Sequence, residues 1–263
     1  MTRLRDVWKR VLISMGGMVL LRKRVDLHTS AELEDIVVSQ ARAEHDMNSE
    51  HAEWWSAREF SAENPTITSF SPYLAPGGRF LLDLDSRAAV VYVDLDANEL
   101  AWREVIPSSP AQIVTFCKAW EHIANAPILI MRIAISMRRT LLESEREEGS
   151  MGVHDDLPIQ EISVWRVSAK LDDEGVICGL EAERLSLFRH TQHSEGGGVL
   201  FLKTIKLQGD HVILTRGDLC SVINWVEADG LMGSVPGRVV QYPSCLVRFS
   251  TRPLEFWIFT AHS

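Results

Sequence analysis

The sequence predicts a mainly β fold, an incomplete or small β-propeller of about four to five blades preceded by two N-terminal α-helices. Two observations carry this expectation. In the early part of the chain apolar positions recur every three or four residues, the period of a helix, whereas after Pro65 they fall into short runs separated by Gly, Pro and Asp turn signals. Several of those runs hold an aromatic residue near the middle, at Tyr92, Trp165, Trp225 and Trp257, as repeated blade-like units do. The chain accordingly divides into a helical segment and linker over residues 1–63 and a β-propeller-like domain, complete or truncated, over residues 64–263.

The first helix is read from Leu4, Val7, Trp8, Val11, Leu12, Met15 and Val19, which lie along one face at helical spacing. Such a stripe is a packing face rather than a ligand site. Gly16 and Gly17 weaken the helix, so it is expected to stop or bend before Leu20. The second helix opens at Thr29, because Glu32 three residues later completes a capping box, and Leu33, Ile36, Val37 and Ala41 give its apolar face. From His45 to Glu63 the chain turns polar, with Trp54 and Trp55 expected to dock onto the domain that follows.

The β region begins with Pro76, Gly77 and Gly78 as a turn, then strands from Phe80 to Leu84 and from Val90 to Leu95 joined across Ser86 and Arg87. Further apolar runs span Ile128 to Ile135, Ile162 to Val167, Val222 to Val226 and Leu254 to Phe259. The clearest blade runs from Val199 to Val226. Its strands are Val199 to Leu207, His211 to Thr215 and Leu219 to Val226, with turns at Gln208 to Asp210 and at Gly217 and Asp218. Another blade is expected from Arg238 to Phe259, and the acidic stretch Glu143 to Glu148 reads as a solvated loop.

Composition bounds the function. Apolar residues make up 46% and charged residues 24% of the chain, the balance of a folding globular protein. The formal charge of −9, from 36 acidic against 27 basic residues, argues against a phosphate-binding face and so against a nucleic-acid partner. Arg3, Arg5, Lys9 and Arg10 ahead of the run Val11 to Leu21 look superficially like a signal peptide. Ser14, Gly16 and Gly17 dilute that run, and Arg22, Lys23 and Arg24 close it without a cleavage pattern. No stretch approaches the ~20 apolar residues of a membrane span. The expected location is cytoplasmic or nuclear, where Cys117, Cys178, Cys220 and Cys245 read as ordinary buried thiols.

No active site assembles from the sequence, so the chain reads as a non-catalytic protein without metal or cofactor. His190, His193 and Glu195 form the best metal candidate, but they fall at a polar glycine-rich tract with no further ligand at a fixed offset. The Gly149-Ser150-Met151-Gly152 segment lacks the strand and helix of a nucleophile elbow. Asp83 and Asp85 share one side of a strand, as solvent-facing residues of a half-buried hairpin do, while Asp155 and Asp156 sit in a loop before Pro158. Gly196 to Gly198 precede a strand rather than the helix N-terminus that a phosphate cradle needs.

Three segments occur in a distinctive order: Arg5-Asp6-Val7-Trp8, then Ser30-Ala31-Glu32-Leu33-Glu34, then Tyr73-Leu74-Ala75-Pro76-Gly77-Gly78-Arg79-Phe80-Leu81. This succession resembles the region behind the F-box in basidiomycete F-box proteins, where a Trp helix and an acidic helix precede a P-G-G-R-F-L strand that opens a degenerate WD-repeat-like propeller. Asn224-Trp225 and Phe256-Trp257 sit where such blades place their aromatic strand. The Trp-Asp dipeptide of true WD repeats is replaced by Val93-Asp94, Trp165-Arg166 and Trp225-Val226. The resemblance implies an intracellular fungal protein-interaction module, the substrate-recruitment propeller of an SCF-type ubiquitin ligase subunit. Met1 lies too close to Arg5 to leave room for an F-box, so the Skp adaptor is not expected to bind this chain directly, and the recruited protein partner stays unidentified. The expected interaction loops are Gly77, Gly78 and Arg79, Gln208, Gly209 and Asp210, and Gly217 and Asp218. The alternatives are a propeller-fold hydrolase using carboxylates in a central channel, and a truncated fragment with no independent function.

Overall fold

The computed structural model describes residues 2–14, 21, 23–47, 72–123, 126, 128–140, 159–190, 204–216, 219–231, 238–241, 246–249 and 256–259. The chain is mainly β, with two α-helices ahead of the strands. Helix α1 spans Thr2–Ser14 and helix α2 spans Ser30–Met47, with a single 3-10 turn at Val25–Leu27 between them.

The capping box forms as the sequence predicts. The Thr29 amide donates to Glu32 Oε2 at 2.7 Å, and the Glu32 amide donates to Thr29 Oγ1 at 3.2 Å, so two otherwise orphaned donors at the start of α2 are satisfied reciprocally. Leu12, Leu21, Val25, Leu33 and Val37 form a buried cluster, with Trp8, Val11 and Ile36 packed against it. The predicted stripe is shorter than its spacing implies, because Leu4 and Val7 in the first turn of α1 are 62% and 55% exposed. The expected break at Gly16 and Gly17, the boundary at residues 63 and 64, and Trp54 and Trp55 lie outside the described residues.

The first sheet is an antiparallel meander of β1 (Tyr73–Leu74), β2 (Phe80–Leu84), β3 (Val90–Asp94) and β4 (Arg103–Ile106), ordered as in the sequence. Every residue of β3 is buried, so both faces of that strand are covered. This corrects the expectation that Asp83 and Asp85 face solvent: each is 2% exposed. Burial is tolerated because local main-chain donors serve the carboxylates. Asp83 Oδ1 accepts from the Leu84 amide at 2.8 Å, and Asp85 Oδ1 accepts from the Arg87 and Ala89 amides, both at 2.8 Å. That second pair of bonds shapes the β2–β3 turn, in which Ala88 takes a left-handed φ of 56°.

The second sheet holds β5 (Ile113–His122), β6 (Ile130–Arg139), β7 (Ile159–Leu171) and β8 (Ile177–Arg189), again in sequence order. These strands exceed the short blade strands expected at Ile128 to Ile135 and Ile162 to Val167. The extra length is largely polar, with Arg138 and Arg139 at the end of β6 and Gln160, Glu161, Ser168 and Lys170 at the ends of β7, and Glu181, Glu183 and Arg184 likewise interrupt any apolar run in β8. Outer backbone groups near the two ends of β8 have partners. Arg79 Nη2 donates to the Ile177 carbonyl at 3.1 Å, the Leu180 amide donates to the Tyr92 hydroxyl at 3.3 Å, and the Leu187 amide donates to Asp229 Oδ1 at 3.0 Å. The Gly230 amide reaches the Leu187 carbonyl and the Arg189 amide reaches the Leu231 carbonyl, at 3.0 and 2.9 Å.

The third sheet is antiparallel, β9 (Thr204–Gln208), β10 (His211–Arg216), β11 (Leu219–Asn224) and β12 (Arg238–Gln241), in the order β12-β11-β10-β9. The strand at Arg238 therefore completes this sheet, with Leu219 opposite Gln241, instead of opening the next blade. A two-stranded hairpin of β13 (Leu246–Phe249) and β14 (Phe256–Phe259) follows.

The chain forms two compact units. One comprises Met1–Ser108, His122–Met131 and Val167–Ala182, and the other Ser109–Glu121, Arg132–Arg166 and Glu183–Ser263. The core of the second unit is built from Ala134, Ile162, Val164, Phe188, Val212, Leu214 and Ile223, each at most 2% exposed, with Trp225 against them. The core of the first β-sheet centres on Phe80, whose ring meets Tyr92 edge-on at 5.7 Å between centroids.

Candidate functional site

The first candidate loop belongs to the first unit. Gly77 and Gly78 adopt φ of 86° and 72°, which only glycine takes without strain, and the Ala75 amide closes the turn onto the Phe80 carbonyl at 2.8 Å. Arg79 leaves this turn for the interior. Its Nε donates to Asp94 Oδ1 at 2.9 Å and its Nη2 to Asp94 Oδ2 at 2.7 Å, a bidentate pair whose side chains are 13% and 8% exposed. The guanidinium also lies 5.0 Å from the centroid of the Phe80 ring. Burial opposes the charge on Asp94, but the Arg79 guanidinium and the Asp96 amide outweigh it and hold the carboxyl below its ordinary value. The hydrogen bonds to Asp94 likewise raise the Arg79 guanidinium. Arg79 is thus a strap tying the strand pair to β8, and of this loop only Gly77 and Gly78 are exposed.

The second candidate loop belongs to the second unit. Gly209, at φ 55°, lies at the centre of a clasp. Its carbonyl accepts from Arg132 Nη1 at 2.8 Å and from Trp225 Nε1 at 2.9 Å, while its amide donates to Glu121 Oε1 at 2.7 Å. Arg132 sits 3.5 Å from Glu121 Oε2 and 5.7 Å from the centroid of the Trp225 ring. The Trp225 amide donates to the Asp210 carbonyl at 3.0 Å. The backbone of the turn is fixed on both sides, and the Asp210 side chain, 64% exposed, is the group it presents. Gln208 is half-buried. The third candidate loop, Gly217 and Asp218, lies outside the described residues.

Glu121, Arg132 and Trp225 were not legible as supports of the Gly209 turn, because their bonds to it are set by strand pairing and not by any local motif. The other chemical candidates thin out. His190 is 5% exposed, whereas its proposed co-ligands His193 and Glu195 lie outside the described residues, as do Ser150, Asp155 and Asp156. Among the described residues no group of three or more His, Cys, Asp or Glu could hold a metal ion.

The thiols do not form the uniformly buried set expected of them. Cys178 is exposed, near the start of β8. Burial pushes the Cys117 thiol up to about 12, against the hydrogen bond from Ser136, and burial raises Cys220 as well, so neither supplies a thiolate near neutrality. Arg139 and Glu161 form a buried ion pair, with Nη2 to Oε2 at 2.6 Å, which neutralises both groups within the second unit. No described helix is long and apolar enough to cross a membrane. No protein-family model matches the chain, and no curated protein matches it.

Proposed function

We propose that this chain is a protein-interaction module, the recruitment propeller of an F-box-like protein in a ubiquitin-ligase context. Three four-stranded sheets follow one another, each ordered by sequence apart from its direction of reading, which is the strand order of up-and-down propeller blades. The order of the Trp helix, the capped acidic helix and the P-G-G-R-F-L turn supports the family context.

The observation that carries the interaction reading is the clasp at Gly209. A loop whose backbone is already fixed by Glu121, Arg132 and Trp225 loses little conformational freedom when a partner docks on it, so more of the contact energy appears as affinity. In this reading Asp210 meets the partner, and Arg79 acts only as internal support within the first unit.

The test is affinity purification from a basidiomycete extract with the wild-type chain and with Asp210→Lys, followed by cross-linking from position 210. The expected result is one stoichiometric protein that cross-links from that position and is lost with the charge reversal. A partner set unchanged by Asp210→Lys overturns the placement of the surface, and no stoichiometric partner at all overturns the interaction reading. Direct binding of purified Skp adaptor would overturn the expectation that the adaptor does not bind this chain.

A further inference from the structure

Within the first unit, the segment between the two helices is joined to the β7–β8 turn. The Arg24 amide donates to the Gly175 carbonyl at 3.0 Å, and Lys23 forms an isolated antiparallel bridge with Val176. The approach is close. Gly175 has φ 76°, and a Cβ built there would lie 2.6 Å from Leu27 Cδ1 and 3.3 Å from Arg24 Cδ. On its other side the segment is held by the Lys23–Glu32 ion pair and by the His28 imidazole, whose Nε2 lies 3.3 Å from the Lys23 carbonyl.

His28 is 7% exposed, and its Nδ1 has no hydrogen-bond partner among the described residues. The bond to a carbonyl assigns the proton of the neutral ring to Nε2, so Nδ1 carries the buried lone pair. The charged groups around the ring come from three elements. Arg5 of α1 donates through Nε to the His28 carbonyl at 3.1 Å, Lys23 of the linking segment pairs with Glu32 at 2.9 Å, and Glu32 of α2 places Oε2 3.9 Å from Nδ1.

We propose that His28 is an acid-sensitive latch: the neutral ring holds the Lys23–Arg24 segment on the β7–β8 turn, and protonation at Nδ1 releases it. An imidazolium here would be desolvated beside two cations, Lys23 and Arg5, with one carboxylate in reach. That carboxylate is already engaged, since Glu32 Oε2 takes the Thr29 amide and Oε1 takes Lys23 Nζ. Burial and the Lys23 charge accordingly depress the His28 pKa, against the backbone bond to Lys23 and the Glu32 charge. The sign follows from linkage. The released ring takes up a proton at an ordinary histidine pKa of about 6.5 and the latched ring only below it, so latching is complete above that value and is lost as pH falls toward the depressed one.

The test is amide exchange at Arg24 by NMR, corrected for intrinsic rates, in wild type and in His28→Gln, whose side-chain amide can donate to the Lys23 carbonyl but does not titrate. Wild-type protection is expected to fall by about tenfold per pH unit just below about pH 6.5, and the variant to stay flat. Flat wild-type protection, or an equal slope in His28→Gln, overturns the latch. Should the variant not fold, the wild-type His28 ring resonance decides: its titration midpoint must lie below about pH 6.5, where the fall in Arg24 protection levels off, and a midpoint at or above about 6.5 overturns the proposal.

Discussion

Arg79 shows what a residue within a recognisable motif is for. Truncation by Arg79→Ala leaves the Asp94 carboxylate buried without its counter-charge, and should lower stability by about 3 kcal/mol in urea unfolding. Arg79→Lys should lose less but not be neutral, because one ammonium cannot replace the fork to Asp94 and the bond to Ile177 together. The pH dependence has a definite sign. Because the folded Asp94 pKa is depressed, its contribution is present above the ordinary carboxylate pKa of about 4 and is lost as pH falls through the folded value. That acid loss should shrink in Arg79→Ala. A second residue offers the opposite outcome. Ala88 holds a left-handed φ of 56° while 3% exposed, so Ala88→Gly relieves strain but gives up a buried methyl. The net gain should be up to about 1 kcal/mol, read as a higher urea midpoint with an unchanged slope. The turn and strand of P-G-G-R-F-L were legible because glycine and alternation are local signals. The inward course of Arg79 was not, since its acceptors lie 15 and 98 residues away.

Among the elements, the helices and the tight hairpins were legible and the long strands were not. Thr29 with Glu32 announces α2, and Thr29→Ala should cost about 1 kcal/mol of stability and fray the first turn of α2, visible as faster exchange of the Glu32 amide. Strands β2, β3, β9, β10 and β11 declare themselves through apolar runs bounded by turn residues. Strand β8 does not, because Gly179, Glu181, Glu183, Arg184 and Ser186 interrupt its apolar residues and dilute any run. Strand β12 was assigned to the wrong sheet for another reason. Its place is fixed by pairing with β11 across an intervening segment, which sequence periodicity does not report. The exposure of Leu4 and Val7 makes the same point for α1: spacing defines a face, but the neighbour that covers it sets how far burial extends.

At the scale of the whole molecule, one division between the two compact units falls in the loop between Ser108 and Ser109, and the other four fall within strands, between Glu121 and His122 in β5, Met131 and Arg132 in β6, Arg166 and Val167 in β7, and Ala182 and Glu183 in β8. No cut in the sequence separates the units without severing a strand, so unfolding should be one cooperative transition, with coincident urea curves from far-UV circular dichroism and tryptophan fluorescence. Two resolved transitions would show the units to be independent. The closure of β8 has a consequence of another kind. A terminal strand of thirteen residues is a template on which a stray extended chain could grow, and among the described residues this one is shielded near its two ends by an arginine, a tyrosine, an aspartate and a short stretch of main chain. Three of these plugs are single side chains that a point mutation can remove, so safety from fibre growth is divided among residues distant in sequence from one another.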